Sequence, residues 1–218
     1  MRNIQSARRP RSGGFTLLEM TVVVAVLGVV LSSVGLFQAR GNEAARSQMS
    51  RAELQARASR ALSRIATELH GAAQSRLQPD PDDEYPLEQL NYERIVGLDG
   101  GVATWTEGRL AVELEPGEQA NGMDDDGDGL VDERRLRLVH EVGSQGEGSA
   151  ILCDGLPAIA PGEVVNGVDD DGDGAKDEAG FGVRRVGELL LVHLALQEPQ
   201  PGAAPLVVEV STAVVLRN

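Results

Sequence analysis

The sequence predicts an α+β fold in which a long N-terminal helix, membrane-embedded in its first half, packs on an antiparallel β-sheet. Three observations lead to this fold class. An apolar run extends from Phe15 to Phe37, an apolar stripe at helical spacing follows it, and alternating apolar segments follow Pro86. The chain has 218 residues, which leaves room for one or two domains and a sizeable core.

The apolar run, residues 15–37, contains one ionisable side chain, Glu19. As a helix the run is roughly 35 Å long, which is enough to cross the hydrocarbon core of a bilayer. The basic residues that precede the run predict a cytoplasmic N-terminus and a C-terminal part outside the membrane; they are Arg2, Arg8, Arg9 and Arg11. A carboxylate at bilayer depth is costly, so Glu19 needs a functional reason and a partner.

Three interpretations of this N-terminus compete. A secretory signal peptide has small residues after its apolar part, whereas here Gly13 and Gly14 come before it. A plain membrane anchor explains the length of the run but not the carboxylate of Glu19. The third interpretation explains both, because "RSGGFTLLEM" resembles the cleavage site of type IV prepilins and type II secretion pseudopilins.

The resemblance implies that residues 1–14 are a leader peptide. In that family a prepilin peptidase in the inner membrane cuts between the residues that match Gly14 and Phe15, and it then methylates the new amine. The resemblance also implies a pilin-like fold and assembly with other pilin or pseudopilin subunits. In such a filament the ammonium group of Phe15 from one subunit approaches Glu19 of a neighbour, and the two buried charges compensate each other.

The helix is predicted to continue as an amphipathic segment over residues 38–77. Apolar residues recur at spacings of three and four in this segment: Leu54, Ala58, Leu62, Ile65, Leu69 and Ala72. The helix is expected to stop near Leu77, because the proline-containing stretch "QPDPDDEYP" follows. Residues 78–218 then form a β-rich globular domain. The predicted strands are "RLAVEL", "RLRLVHEV", "ELLLVHLAL" and "PLVVEVSTAVVL".

Later segments are similar to minor components of the same family. The ending "STAVVLRN" is similar to the C-terminal strand of W-type minor pilins. The stretches "ILCDGLPAIA" and "VRRVGELLLVHLAL" are similar to the J- and W-type minor components.

The formal net charge of −14 argues against nucleic-acid binding, because such proteins need a basic surface. Cys153 is the only cysteine and is interpreted as a small buried apolar side chain. His70, His140 and His193 are far apart in sequence and do not suggest a catalytic site.

An acidic segment occurs twice. "NGMDDDGDGLVDE" at 121–133 recurs as "NGVDDDGDGAKDE" at 166–178, and each copy carries six acids. The D-x-D-x-D-G spacing is typical of calcium loops, in which alternate side chains converge on one ion while Gly permits a sharp turn. Position twelve of an EF-hand holds a bidentate Glu, whereas here it holds Arg135 or Gly180. The repeats therefore resemble the shorter aspartate loops of thrombospondin type 3 repeats.

Two Ca²⁺ sites are predicted. The first takes side-chain oxygens and one carbonyl from Asp124, Asp126, Asp128, the Leu130 carbonyl, and Asp132 or Glu133. The second takes them from Asp169, Asp171, Asp173, the Ala175 carbonyl, and Asp177 or Glu178. Two alternatives are solvated acidic turns and an acid–base enzyme site. The enzyme site also requires a concave cleft and a nucleophile, for which the sequence offers no candidate.

These observations predict a non-enzymatic minor pilin or pseudopilin. Such a subunit initiates or caps a type IV pilus or a type II secretion pseudopilus, and its C-terminal domain is periplasmic. The alternative is a membrane-anchored calcium-binding adhesin or surface protein that does not enter a filament. Glu19 distinguishes them, because assembly uses this carboxylate and an independent anchor does not.

Overall fold

The structure is a computed structural model that describes residues 16–81, 88–172, 176–200 and 202–216, without the side chains of residues 39, 43 and 44. One helix and eight strands follow one another along these residues: α1 (Leu17–His70), β1 (Ala72–Gln78), β2 (Gln89–Asp99), β3 (Val102–Leu114), β4 (Arg134–His140), β5 (Gly148–Leu156), β6 (Phe181–Val186), β7 (Leu189–Glu198) and β8 (Leu206–Val215). The chain divides into two compact units, with the boundary between Gln48 and Met49. The predicted α+β class is confirmed.

The first unit contains the apolar part of α1. This part is long and apolar enough to cross a membrane, and none of its most apolar 18-residue stretch is buried within the protein. Hydroxyl side chains donate hydrogen bonds to carbonyl groups of the same helix, Thr21 to Leu18 at 2.7 Å and Ser32 to Gly28 at 2.8 Å. Internal bonds of this kind suit a helix in lipid, where no water is available to satisfy polar groups.

The second unit begins with the rest of α1, whose apolar stripe packs into the core. The predicted stripe is confirmed for the five of its residues that lie on α1, all of which are buried: Leu54, Ala58, Leu62, Ile65 and Leu69. The sixth, Ala72, is also buried but lies in β1. On the opposite side Arg51, Arg60 and Arg64 are exposed. The helix is therefore amphipathic here, and its buried face lies in the same core cluster as residues of both sheets.

The predicted end of the helix near Leu77 is wrong, because α1 ends at His70. Residues 72–78 instead form β1, which pairs with β2 and places Leu77 in the core. Gly71 follows the last helical residue, and Gly is a poor helix former. Strand pairing and burial thus override the helical preference of the alanines that follow it.

The strands form two antiparallel sheets. The first has the order β1-β2-β3-β4-β5 and the second the order β6-β7-β8. Each of the four predicted strands corresponds to an observed strand, β3, β4, β7 or β8, and the bounds differ by one or two residues for all but the first. The other four strands were not identified from the alternating pattern.

The core lies between the helix and the sheets of the second unit. Its largest fully buried side chains are Tyr92 and Phe181, and the remainder is mainly Leu, Val and Ala. Cys153 is free and buried, as predicted. Burial, together with the charge of the neighbouring Asp154, raises the pKa of its thiol to about 12, so this thiol is a poor nucleophile.

Candidate functional site

Two features carry chemistry, and the first is the start of α1. Gly14 and Phe15 lie outside the described residues. Glu19 lies in the first turn of the helix and is exposed. Its backbone N–H donates to the Thr16 hydroxyl at 3.2 Å, and the Met20 N–H donates to the Thr16 carbonyl at 3.2 Å.

Thr16 therefore caps α1, and Glu19 occupies the third helical position, where acids favour the positive end of the helix dipole. This capping role was not recognised from the sequence, although Thr-x-x-Glu is a known helix-start signal. In the described part of the chain no basic group pairs with the Glu19 carboxylate. An ion-pair partner for Glu19 is therefore expected to come from outside these residues.

The second feature is the pair of acidic loops, which fold alike. The first connects β3 to β4 and the second connects β5 to β6. Asp132 accepts hydrogen bonds from the N–H groups of Asn121 and Gly122 at 2.8–3.0 Å. Asp177 does the same for Asn166 and Gly167 at 2.7–3.0 Å. Both aspartates adopt a φ of 50°, so the repeat in sequence is a repeat in conformation.

Each loop is organised around a buried glutamate that the sequence analysis missed. Glu118 accepts hydrogen bonds from the N–H groups of Asp125, Asp126 and Asp132 at 2.9–3.1 Å. Glu163 accepts from the residues at the matching positions of the second loop, at 2.8–3.0 Å: Asp170, Asp171 and Asp177. The two glutamates are only 7% and 8% exposed.

A signal for these glutamates is present in the sequence. The repeat starts earlier than Asn121 and Asn166, since "PGE" occurs at 116–118 and again at 161–163. The glycine of this triplet is required in the first loop. Gly117 has a φ of 113°, and a Cβ there would lie 2.9 Å from the Cβ of Asp126. The "PGE" triplet thus brings the Glu118 end of the loop against Asp126.

The alternate aspartates of the first loop lie close together and accept hydrogen bonds from the loop's own backbone. Oxygen atoms of Asp124, Asp126 and Asp128 lie within 4.8 Å of one another, and all three residues are exposed. Asp124 accepts from the N–H groups of Gly127 at 2.7 Å and Gly129 at 2.9 Å. Asp128 accepts from Leu130 at 2.8 Å. These contacts stabilise the turn without a cation.

A second group of carboxylates lies further inside the same loop. Oxygen atoms of Glu118, Asp126 and Glu133 lie within 4.8 Å of one another. Glu133 is completely buried, and in the described part of the chain neither of its carboxylate oxygens has a hydrogen-bond partner. Burial, together with the charges of Asp128, Glu118 and Glu115, raises the pKa of Glu133 to about 7.

The second loop contains the corresponding inner group, formed by Glu163, Asp171 and Glu178. Asp169 accepts from the Gly172 N–H at 2.6 Å, as Asp124 does from Gly127. Asp173 and Ala175, which were predicted as ligands, lie outside the described residues. All candidate metal ligands in both groups are carboxylate oxygen atoms, which fits a hard cation such as Ca²⁺.

The histidines do not form a site among the described residues. His70 is exposed at the end of α1. His140 lies in β4, where its Nδ1 is 4.0 Å from the buried Glu68, and His193 lies in β7.

Comparison with known proteins bears on the N-terminus. Residues 9–35 match the family described as the prokaryotic N-terminal methylation motif. The match includes Gly14, Phe15 and Glu19, and it does not extend to the sheets or the acidic loops. Searches of the curated proteins and of the solved structures found no match.

The methylation motif indicates a type IV pilin-like or pseudopilin-like protein with single-pass membrane anchoring. It implies processing by a prepilin peptidase and assembly with other pilin subunits.

Proposed function

We propose that this chain is a minor subunit of a type IV pilus or a type II secretion pseudopilus, and that it initiates or caps the filament without enzymatic activity. The observation that carries this proposal is the methylation motif, with Glu19 exposed at the start of an apolar helix. The basic N-terminus favours a cytoplasmic leader and a periplasmic second unit, by the positive-inside rule. The similarities to W- and J-type components support the minor role.

The role of Glu19 follows from charge. A carboxylate on an apolar helix is costly in lipid, and an ammonium group on Phe15 of a neighbouring subunit would compensate it. Such a pair also sets the stagger between adjacent helices, because only one register brings the two charges together. The capping contact with Thr16 gives Glu19 a second, purely local role, and an experiment must separate the two.

The test uses three variants of the full chain in the native host. Glu19→Gln removes the charge and retains a side chain that suits the helix start, whereas Glu19→Ala removes both. We expect membrane insertion of both variants and strongly reduced amounts of both in sheared filament fractions. Glu53→Ala is the matched control, since Glu53 is an exposed acid of α1 outside the apolar run, and it should assemble like the wild type.

Intact mass must first establish that the mature chain begins at Phe15. Normal assembly of Glu19→Gln alone would assign Glu19 to capping. Normal assembly of both Glu19 variants would instead favour a membrane-anchored adhesin or surface protein.

We further propose that the acidic loops bind Ca²⁺ and that the ion stabilises the second unit. The proposal is supported by the clustered oxygen ligands and by the mutual repulsion of six acids in each loop. An ion that binds only the folded chain raises the free energy of unfolding by about 2.7 kcal/mol per site at one hundred times its Kd.

The measurement is the Tm of the full chain in detergent, with excess Ca²⁺ and with chelator. We expect a clear calcium-dependent rise in Tm that the double variant Asp126→Asn, Asp171→Asn abolishes. Equal Tm values for the wild type in both conditions, together with no heat of binding, would leave the loops as solvated acidic turns.

A further inference from the structure

We propose that the cation of the first loop is held by the inner carboxylates Glu118, Asp126 and Glu133, with Glu133 as the decisive ligand. The outer aspartates Asp124 and Asp128 shape the loop instead of binding the ion. This inference rests on the calcium binding proposed above and names the ligands. The inner carboxylates of the second loop, Glu163, Asp171 and Glu178, hold the corresponding ion.

Glu133 carries the argument because no basic group forms an ion pair with it in the described part of the chain. The side chain is 0% exposed, and within the described residues neither carboxylate oxygen accepts a hydrogen bond. A buried carboxylate is normally paired, hydrogen-bonded or bound to a metal. Instead, the carboxylates of Glu118 and Asp126 face it within 4.8 Å. A Ca²⁺ ion at this point would offset two of these three negative charges and give Glu133 a positive partner.

Asp124, Asp128 and Asp132 serve the backbone and do not belong to the group of carboxylates around Glu133. Asp128 accepts the Leu130 N–H with one oxygen. Both oxygens of Asp124 and both of Asp132 accept backbone N–H groups. These bonds hold the turn in shape, and breaking them would leave backbone donors without partners. Of the two closing acids, Asp132 therefore secures the start of the loop, and Glu133 is left for the ion.

Asp126 and Glu118 complete the site from the other side. One oxygen of Asp126 accepts the Asp128 N–H at 3.0 Å, which leaves its other oxygen for a cation. Glu118 is fixed by three backbone N–H donors, and a carboxylate has about four lone-pair positions. Three carboxylates supply part of the six to eight oxygens that Ca²⁺ takes, and carbonyls and water supply the rest.

The stability of the chain without calcium distinguishes a ligand role of Glu133 from a purely structural one. If Glu133 binds the ion, its buried charge is unfavourable when calcium is removed. Replacing it with the isosteric Gln should then stabilise the chain in chelator and prevent stabilisation by the ion at this loop. Under this proposal the Gln variant gains stability relative to the wild type in chelator and loses the gain from calcium at this loop. A carboxylate with only a structural role would not produce this reversal between the two conditions.

The experiment measures calcium stoichiometry by titration calorimetry on the full chain in detergent, with CaCl₂ as the probe. The second loop is unchanged and serves as an internal reference. We expect two ions for the wild type and one for Glu133→Gln. Asp128→Asn distinguishes the ligand sets, since it should retain two ions if the inner carboxylates bind and one if the outer aspartates do. Asp125→Asn is the charge-matched control, because within the described residues the carboxylate of Asp125 accepts a hydrogen bond from the Asn121 side-chain amide and belongs to neither group of clustered carboxylates.

The outcomes separate the two proposals. Two ions in the wild type and still two in Glu133→Gln would overturn the inner site while leaving calcium binding intact. A lower Tm of Glu133→Gln in chelator would also count against it. No ion in the wild type would overturn calcium binding itself, and the inner site with it.

Discussion

At the scale of single residues, a polar cluster ties α1 to the first sheet. Glu68 on the buried side of the helix pairs with Arg64 at 2.9 Å and with Arg94 at 3.5 Å. The Tyr92 hydroxyl donates to Glu68 at 3.4 Å. Burial raises the pKa of this phenol, and the charge of Glu68 raises it further, so Tyr92 stays a neutral donor. The ring of Tyr92 needs space, which Gly108 provides.

Gly108 lies directly opposite Tyr92 on β3, and a Cβ at this position would be 2.4 Å from the Tyr92 ring. We predict that Gly108→Ala lowers the free energy of unfolding by about 1–3 kcal/mol, since the ring must move and its bond to Glu68 is lost. The measurement is chemical denaturation of the full chain in detergent. Gly182→Ala is the matched control, because Gly182 is also a strand residue and a Cβ there meets nothing within 4 Å. Equal losses for both variants would show that steric contact with Tyr92 is not the cause.

At the scale of elements, periodicity predicted the helix and strand segments whose buried residues recur at regular spacing. The stripe of α1 and the strands β7 and β8 have regular apolar spacing, and the structure confirms them. The strand β2 mixes polar residues with Gly97, where its pairing with β3 is irregular, so no alternation is visible. The end of α1 depends on the pairing of β1 with β2, which is a tertiary contact.

In the acidic loops, too, the features that depend on tertiary contacts could not be predicted from the sequence. The repeat in the sequence shows the spacing of their aspartates. Extending the repeat to "PGE" also identifies Glu118. The burial of Glu133 was not predictable, because Asp132 and Glu133 are equivalent in sequence as candidates to close the loop. Only the fold shows that Asp132 accepts backbone N–H groups while Glu133 is buried.

At the scale of the whole molecule, anchoring and folding use different parts of the chain. The large apolar side chains of α1 from Leu17 to Phe37 are exposed, and the core cluster begins only at Leu54. The compact unit that starts at Met49 contains this cluster and both acidic loops. The described core therefore does not use the apolar run.

This division predicts that residues 49–218 form a soluble folded domain without detergent. Its Tm and its response to calcium should equal those of the full chain in detergent, because none of the described residues of the apolar run belongs to the core cluster. A fragment that starts at Leu62 is the control. It lacks the buried Leu54 and Ala58, and deleting buried apolar groups costs several kcal/mol, so it should melt at a clearly lower temperature or fail to fold. Circular dichroism and size-exclusion chromatography measure folding and association. Aggregation of the fragment from Met49, or a Tm well below that of the full chain, would mean that the apolar run stabilises the domain as well as anchoring it.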